Sequence, residues 1–260
     1  MRIILLRHGQ SLGNVDELAY CRIPDHALPL TELGEQQARA AGPRIRDLLD
    51  GGPAAVYVSP YVRTRATLRN LGLDDRVERT VAEPRLREQD WGNLQDPVQQ
   101  EVLKHQRHAF GHFFFRLPNG ESGADVDDRL AAFLTDLETR MQDPAHPATA
   151  LVVSHGLTIR LLCRRLFGWS IELFESLSNL ETCEDRVLTR EEGKTLPEAK
   201  GEVLTPDQIK AATRDSTRSR NSSQKPGVVI SSGTSRRQPS MPLRIQCSPT
   251  CIRYSRTWAS

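Results

Sequence analysis

The order of elements along the chain predicts an α/β fold, three layers α/β/α around a mostly parallel central sheet. Three observations carry that expectation. Short apolar runs alternate with amphipathic stretches of helical period through roughly the first two thirds of the chain. Two of the runs end in His-Gly, at Arg7-His8-Gly9 and Ser154-His155-Gly156, and a third ends in Ser59-Pro60 just ahead of an arginine cluster. Strands alternating with helices pair in parallel, and such sheets bind ligands beyond the carboxyl ends of their strands.

Residues 3–6 are a buried-type strand that leads into Arg7-His8-Gly9. From Thr31 to Leu49 the apolar positions Ala38, Ala41, Ile45 and Leu48 recur at three and four. Thr31 is placed to cap that amphipathic helix. Residues 54–58 form a second strand, 63–71 a helix and 77–81 a third strand. Residues 97–115 carry no clear period, and Phe113-Phe114-Phe115 suits a strand or a helix equally. After the turn Pro118-Asn119-Gly120, Ser122 and Asp125 have capping-box spacing. A helical stripe through Val126, Leu130, Phe133, Leu137 and Met141 follows. Residues 150–153 are a fourth strand, and the helix over 157–167 stops at Gly168.

At 260 residues the chain has room for one large α/β domain or two small ones. Residues 1–195 are read as one domain and 205–260 as a Ser/Arg-rich tail expected to be disordered. Ser, Thr, Pro and Gly fill 25 of the last 60 positions. Charge divides the same way. Residues 1–200 carry 25 basic against 30 acidic residues, and residues 201–260 carry 10 against 3. The basic character belongs to the tail, so neither a nucleic-acid nor a membrane partner is expected of the domain. No apolar run reaches the roughly 18–20 residues of a membrane span, and the short apolar start is no signal peptide, so a cytoplasmic setting is expected. Five scattered cysteines without a Cys-x-x-Cys pair read as reduced, unligated thiols.

The chemistry rests on arginine, histidine and glutamate. A neutral imidazole at His8 is a competent nucleophile toward phosphorus, and nearby cations hold it neutral. Arg7 and Arg63 offer planar forks for phosphate oxygens, with Arg63 at a helix start that itself attracts anions. His155 can donate to a phosphoryl group in the transition state. Transfer from an ester also needs a proton for the leaving oxygen, and Glu88 and Asp90 are the candidate carboxyls.

Taken in order, Arg7-His8-Gly9-Gln10-Ser11 with Asn14, Leu30-Thr31-Glu32-Leu33-Gly34, Ser59–Arg63 with Thr64 and Thr67, Glu88 with Trp91-Gly92, and Ser154-His155-Gly156 resemble the histidine phosphatase superfamily in its phosphoglycerate-mutase-like branch. Residues 113–128 are similar to the plant and fungal proteins of that branch. The resemblance covers about residues 1–190. It implies that His8 becomes phosphohistidine, that Arg7, Arg63 and His155 form the phosphate pocket, and that Glu88 donates the proton. It further implies that Asn14 lies on the phosphate side, and that Glu121 and Ser122 sit at the pocket edge as substrate contacts. No metal or other cofactor is implied; the partner is a small phosphomonoester.

A mutase and a phosphatase share the phosphohistidine. In the mutases the resemblance points to, the acid is followed at three residues by tyrosine and at eleven by lysine; here those offsets give Trp91 and Gln99. The later pair of adjacent arginines is also missing, since Lys104, Arg107 and Arg116 are the only lysines and arginines between Glu88 and Pro118. A phosphatase is therefore expected, with phosphoglycerate mutase or bisphosphoglycerate phosphoryl transfer in carbohydrate metabolism as the alternative. Trp91 and Phe113–Phe115 are read mainly as core, with an apolar substrate wall as the other role.

Overall fold

The computed structural model describes residues 1–93, 95–190 and 243–246. The chain divides into one unit of Met1–Pro197 with Pro242–Ser260 and a second of Glu198–Met241, which lies wholly outside the described residues.

Strand β1 (Arg2–Arg7) is followed by two short helical turns, α1 (Leu12–Val15) and α2 (Ala19–Arg22), then by the long helix α3 (Glu32–Leu48). Strand β2 (Ala54–Val58), helix α4 (Val62–Asn70) and strand β3 (Val77–Ala82) come next. Helices α5 (Pro97–Phe110) and α6 (Gly123–Met141) precede β4 (Thr149–Ser154), α7 (Gly156–Phe167) and the short α8 (Ile171–Ser176). Strands β5 (Asp185–Arg190) and β6 (Leu243–Gln246) complete the sheet.

The sheet order is β3-β2-β4-β1-β5-β6. The first four strands run parallel, and β5 and β6 add antiparallel pairings. Because side chains alternate along a strand, each central strand feeds two cores. Ile3, Leu5, Tyr57 and Val152 face α6 and α7, where Phe133 and Leu161 close the layer. Ile4, Leu6, Val56 and Val153 face α3, against Ala38, Ala41 and Ile45. Strands buried on both faces are apolar throughout, as the predicted runs at 3–6, 54–58 and 150–153 are. The three-layer expectation is met.

The caps follow the sequence. Thr31 accepts from the Gly34 N–H at 3.0 Å, and Ser122 with Asp125 forms the reciprocal capping box of α6. Gly168 stops α7 at φ 62°, a left-handed position that suits glycine. The structure adds the short helices α1, α2 and α8, the helix α5 and the strands β5 and β6, none of which periodicity reveals. In the segment expected to be disordered, Leu243–Gln246 pair with β5, while the remainder of residues 205–260 lies outside the described residues. Among the described residues no helix is long and apolar enough to cross a membrane.

Register decides where polar groups collect. Arg7 pairs with Ser154, and Val58 pairs with both Val153 and Ala82. The four parallel strands thus end at one rim, where the chain delivers His8, His155, Ser59 and the segment leading to Glu88.

Candidate active site

The loop after β1 is held from two sides. Gly9 and Gly34 pack backbone to backbone; a Cβ on Gly9 would lie 2.4 Å from the Gly34 carbonyl oxygen. That contact is the structural reason for the Leu30–Gly34 motif. On the other side, Thr67 Oγ1 accepts from the Gly9 N–H at 3.0 Å and donates to the Arg63 carbonyl at 2.8 Å. One hydroxyl therefore ties the His8 loop to the first turns of α4, which carry Arg63.

His8 is buried and lines a cavity of about 770 Å³. Its Nδ1 lies 2.6 Å from the Gly9 carbonyl, which can only accept, so Nδ1 carries the proton and Nε2 keeps its lone pair. Burial, then Arg63, then Arg7 hold the imidazole well below the usual histidine range. His155 is fully buried with its ring centroid 5.2 Å from that of His8. Its Nε2 is 2.8 Å from Ser59 Oγ, and its Nδ1 is buried without a partner among the described residues. It too is held well below the usual range, by burial first and then by Arg63.

Arg63 is 2% exposed, and its Nη1 binds the Asp25 carbonyl at 2.6 Å and Asp25 Oδ1 at 2.8 Å. Arg7 sends Nη1 to the Leu180 carbonyl. The Nε of each arginine is buried and unpartnered among the described residues. Two N–H donors, Arg7 Nε and Arg63 Nε, and one ring nitrogen, His155 Nδ1, are thus left without a partner, in the two arginines that act electrostatically on His8 and the histidine whose ring lies against it.

Glu88 is carried to the same rim from the end of β3. Ser154 Oγ donates to the Leu86 carbonyl at 2.8 Å and Thr158 Oγ1 to the Arg87 carbonyl at 2.9 Å, which pins this segment to β4 and α7. Its carboxylate sits at the start of α7, accepting from Leu157 N–H, Thr158 N–H and Thr158 Oγ1 at 3.0–3.3 Å. Asp90 also lines the cavity but is exposed, with Oδ1 holding the Gly92 N–H at 2.8 Å. Asn14 lines the cavity as well. Its Oδ1 accepts from the Ser11 N–H at 2.9 Å, which leaves the NH₂ as the group free to donate.

Two expected contacts are placed elsewhere. Glu121 and Ser122 do not line the cavity. Glu121 clamps Arg87 and Arg129 and accepts from the Asp90 N–H at 3.0 Å, so it braces the loop from beneath. Ser122 is consumed by the α6 capping box. Phe113 is core, Phe114 is exposed, and neither lines the cavity; Trp91 does. The structure also brings in residues that sequence reading passed over. Asp25 sits on Arg63, from a segment with no regular pattern. Tyr20 and Tyr61 line the wall with hydroxyls pushed up to about 12 by burial, so both stay protonated. Lys104 and Arg107, set aside in the comparison with mutases, reach the cavity from α5, whereas Gln99 is exposed and outside its lining.

The profile of the histidine phosphatase superfamily (branch 1) matches residues 3–201. A phosphoglycerate mutase-like protein of Arabidopsis thaliana is 44% identical over 205 residues, spanning 72% of this chain and 73% of the relative. A broad-range acid phosphatase of Saccharomyces cerevisiae is 26% identical over 273 residues, spanning 68% of this chain and 82% of the relative. Among solved structures, a putative α-ribazole-5′-P phosphatase from Escherichia coli superposes with a TM-score of 0.59 at 24% identity. The match covers 78% of this chain and 99% of that one. Its fold is the one described above, and with the profile spanning most of the chain, this protein is a member of the histidine phosphatase superfamily, in its phosphoglycerate-mutase-like branch.

Proposed function

We propose that residues 1–195 form a phosphatase that hydrolyses small phosphomonoesters through a phosphohistidine on His8. The observation that carries this reading is the set of two buried, unpartnered arginine N–H donors and one unpartnered ring nitrogen, that of His155, beside a neutral imidazole whose Nε2 is unprotonated. A buried polar group left unpaired costs about 1–3 kcal/mol, so three together fit a site built for a three-oxygen anion.

In this mechanism the substrate phosphoryl group sits between Arg7, Arg63 and His155, with the Asn14 amide donating at its edge. The Tyr61 N–H reaches Ser59 Oγ at 3.5 Å, so the Ser59 hydroxyl hydrogen is available to His155 Nε2. His155 then keeps its proton on Nδ1 for the phosphoryl oxygens. His8 Nε2 attacks phosphorus, and the P–O bond to the leaving group breaks. The leaving oxygen takes a proton from the Glu88 carboxyl. The arginines and His155 meet charge on the equatorial oxygens without reorganising, because their frames are already fixed by Leu180, Asp25 and Ser59. In the second half, Glu88 accepts a proton from water as it attacks phosphorus. The P–N bond breaks and phosphate leaves.

Hydrolysis is favoured over transfer by two features. The position that would carry the mutases' lysine is an exposed glutamine, and Lys104 is already held by Glu17. The acid-phosphatase name of the yeast relative points the same way. One observation favours the alternative, a phosphoglycerate mutase: α5 does bring cations to the cavity wall.

The deciding experiment measures phosphate release from p-nitrophenyl phosphate and, separately, interconversion of phosphoglycerates with the bisphosphate primer present. Release without fast interconversion is expected; fast interconversion with negligible release rejects the phosphatase. His8→Ala should abolish both turnover and covalent phosphoryl labelling, and undiminished labelling would assign another nucleophile. Glu88→Gln should slow esters with poor leaving groups far more than activated aryl esters. An equal effect on both removes Glu88 from the proton-donor role.

A further inference from the structure

Two phenols line the cavity, Tyr20 and Tyr61, and they differ in what already holds them. The Arg63 guanidinium carbon lies 4.9 Å from the Tyr61 ring centroid, and the His155 ring is 5.0 Å from it. Packing on two groups of the phosphate position therefore explains the Tyr61 ring. Tyr20 has no such explanation. It comes from α2 and is half-buried, and its hydroxyl makes no hydrogen bond among the described residues.

The backbone makes room for that hydroxyl. Gly13 is buried in α1, and a Cβ there would lie 2.5 Å from Tyr20 Cζ and 2.6 Å from Tyr20 Oη. Only glycine lets the tip of the phenol rest on α1, one residue before Asn14. The helix that carries the ring is fixed as well. Ala19 is buried, and Asp16 both accepts from the Leu18 N–H at 3.0 Å and pairs with Arg22. The hydroxyl also feels the charges of the whole site: Arg63, Asp25, Glu88 and Arg7 all act on it electrostatically. Those charges put the phenol beside the phosphoryl position and not at the outer wall of the cavity. Burial keeps it protonated up to about 12, so it is a neutral donor at any working pH.

We infer that Tyr20 is a further catalytic residue, which donates its O–H to a non-bridging oxygen of the substrate phosphoryl group, and that position 13 is glycine so that this phenol can reach it. The inference rests on the phosphatase reading and adds a contact to it. Asn14 and Tyr20 then meet the phosphoryl oxygens from the segment after β1, while Arg7, Arg63 and His155 meet them from the strand ends. A fixed neutral donor gains most where negative charge builds up on those oxygens, in the transition state. No bond forms or breaks at Tyr20; it keeps its proton throughout, and Glu88 still serves the leaving oxygen.

The test uses the full-length chain, with p-nitrophenyl phosphate as substrate and orthovanadate, which takes up the trigonal-bipyramidal geometry of the transferring group, as inhibitor. Tyr20→Phe keeps the ring and removes only the hydroxyl. A hydrogen bond to a charged group corresponds to about ten- to a hundredfold. Tyr20→Phe should lower kcat/KM by about that factor and weaken vanadate inhibition by a similar one, at the wild-type denaturant midpoint. Gly13→Ala should displace the phenol and cause the same kind of loss, and Tyr20→Phe added to it should cost little more. Unchanged kcat/KM and vanadate inhibition in Tyr20→Phe overturn the inference, and a folding failure of Gly13→Ala cannot shield it. A lower kcat/KM with unchanged vanadate inhibition overturns it too, because the hydroxyl then serves the leaving group and not the phosphoryl oxygens. Wild-type protein that releases no phosphate from p-nitrophenyl phosphate sinks the phosphatase reading itself. Release that Tyr20→Phe leaves intact sinks only the role of Tyr20.

Discussion

Thr67 shows how much of the site depends on a group that touches no substrate. Its hydroxyl accepts from the buried Gly9 N–H and donates to the Arg63 carbonyl, so it fixes the spacing between the His8 loop and the α4 arginine. Thr67→Val keeps the shape and removes both bonds. The Gly9 N–H then has no partner, at a cost of about 1–3 kcal/mol. We expect that loss in the denaturant midpoint, together with a fall in kcat, because His8 is no longer held against Arg63. Thr67→Ser keeps the hydroxyl and should recover most of both. If Thr67→Val unfolds at the wild-type midpoint, the hydroxyl does not brace the loop.

Among elements, α6 separates a structural role from a binding one. Ser122 resembles a pocket-edge contact in sequence, yet its Oγ accepts from the Asp125 N–H at 3.2 Å and donates to Asp125 Oδ2 at 2.7 Å. Ser122→Ala should cost about 1 kcal/mol of stability, the usual worth of an N-cap, without raising KM. A raised KM at unchanged stability would restore the binding role. The same helix shows what was legible. Its cap and its stripe through Leu130, Phe133 and Leu137 are local signals, and so are the all-apolar runs of β1, β2 and β4. Helix α5 was hidden because its pattern is inverted: Gln100 and Leu103 are buried, whereas Val98, Val102 and Phe110 are exposed. Strand β5 reads Asp-Arg-Val-Leu-Thr-Arg, too polar at its ends to stand out, and owes its place to pairing with β1. The meeting of Asp25 with Arg63 has no local signature, since it arises only when the segment after α2 folds over α4.

For the whole molecule, the consequence of gathering polar groups at one rim is a pH-dependent stability. The places of the first four strands along the chain were readable, and the resemblance implied the convergence of His8, Arg63, Glu88 and His155; the order of the strands in the sheet was not readable. What the sequence did not reveal is how dry that rim is. Both histidines are held neutral by burial first and by Arg63 next, so the folded protein binds fewer protons than the unfolded chain wherever the free imidazole titrates. Stability then rises with pH through that window and falls as pH drops below the unfolded value of about 6.5, by about 1.4 kcal/mol per pH unit for each histidine. Asp25 acts in the opposite sense at lower pH. Burial raises its carboxyl, so the folded state takes up that proton first and offsets part of the loss. Unfolding free energies measured by denaturant at pH 7.5, 6.5 and 5.5 should therefore fall slightly over the first interval and about three times as much over the second. His155→Asn removes one of the two titrating groups and should roughly halve the slope between 6.5 and 5.5, whatever it does to the absolute stability. A wild-type curve that stays flat to pH 5.5 would mean that both imidazoles can take up protons in place. The neutral nucleophile required for attack on phosphorus would then lose its physical basis.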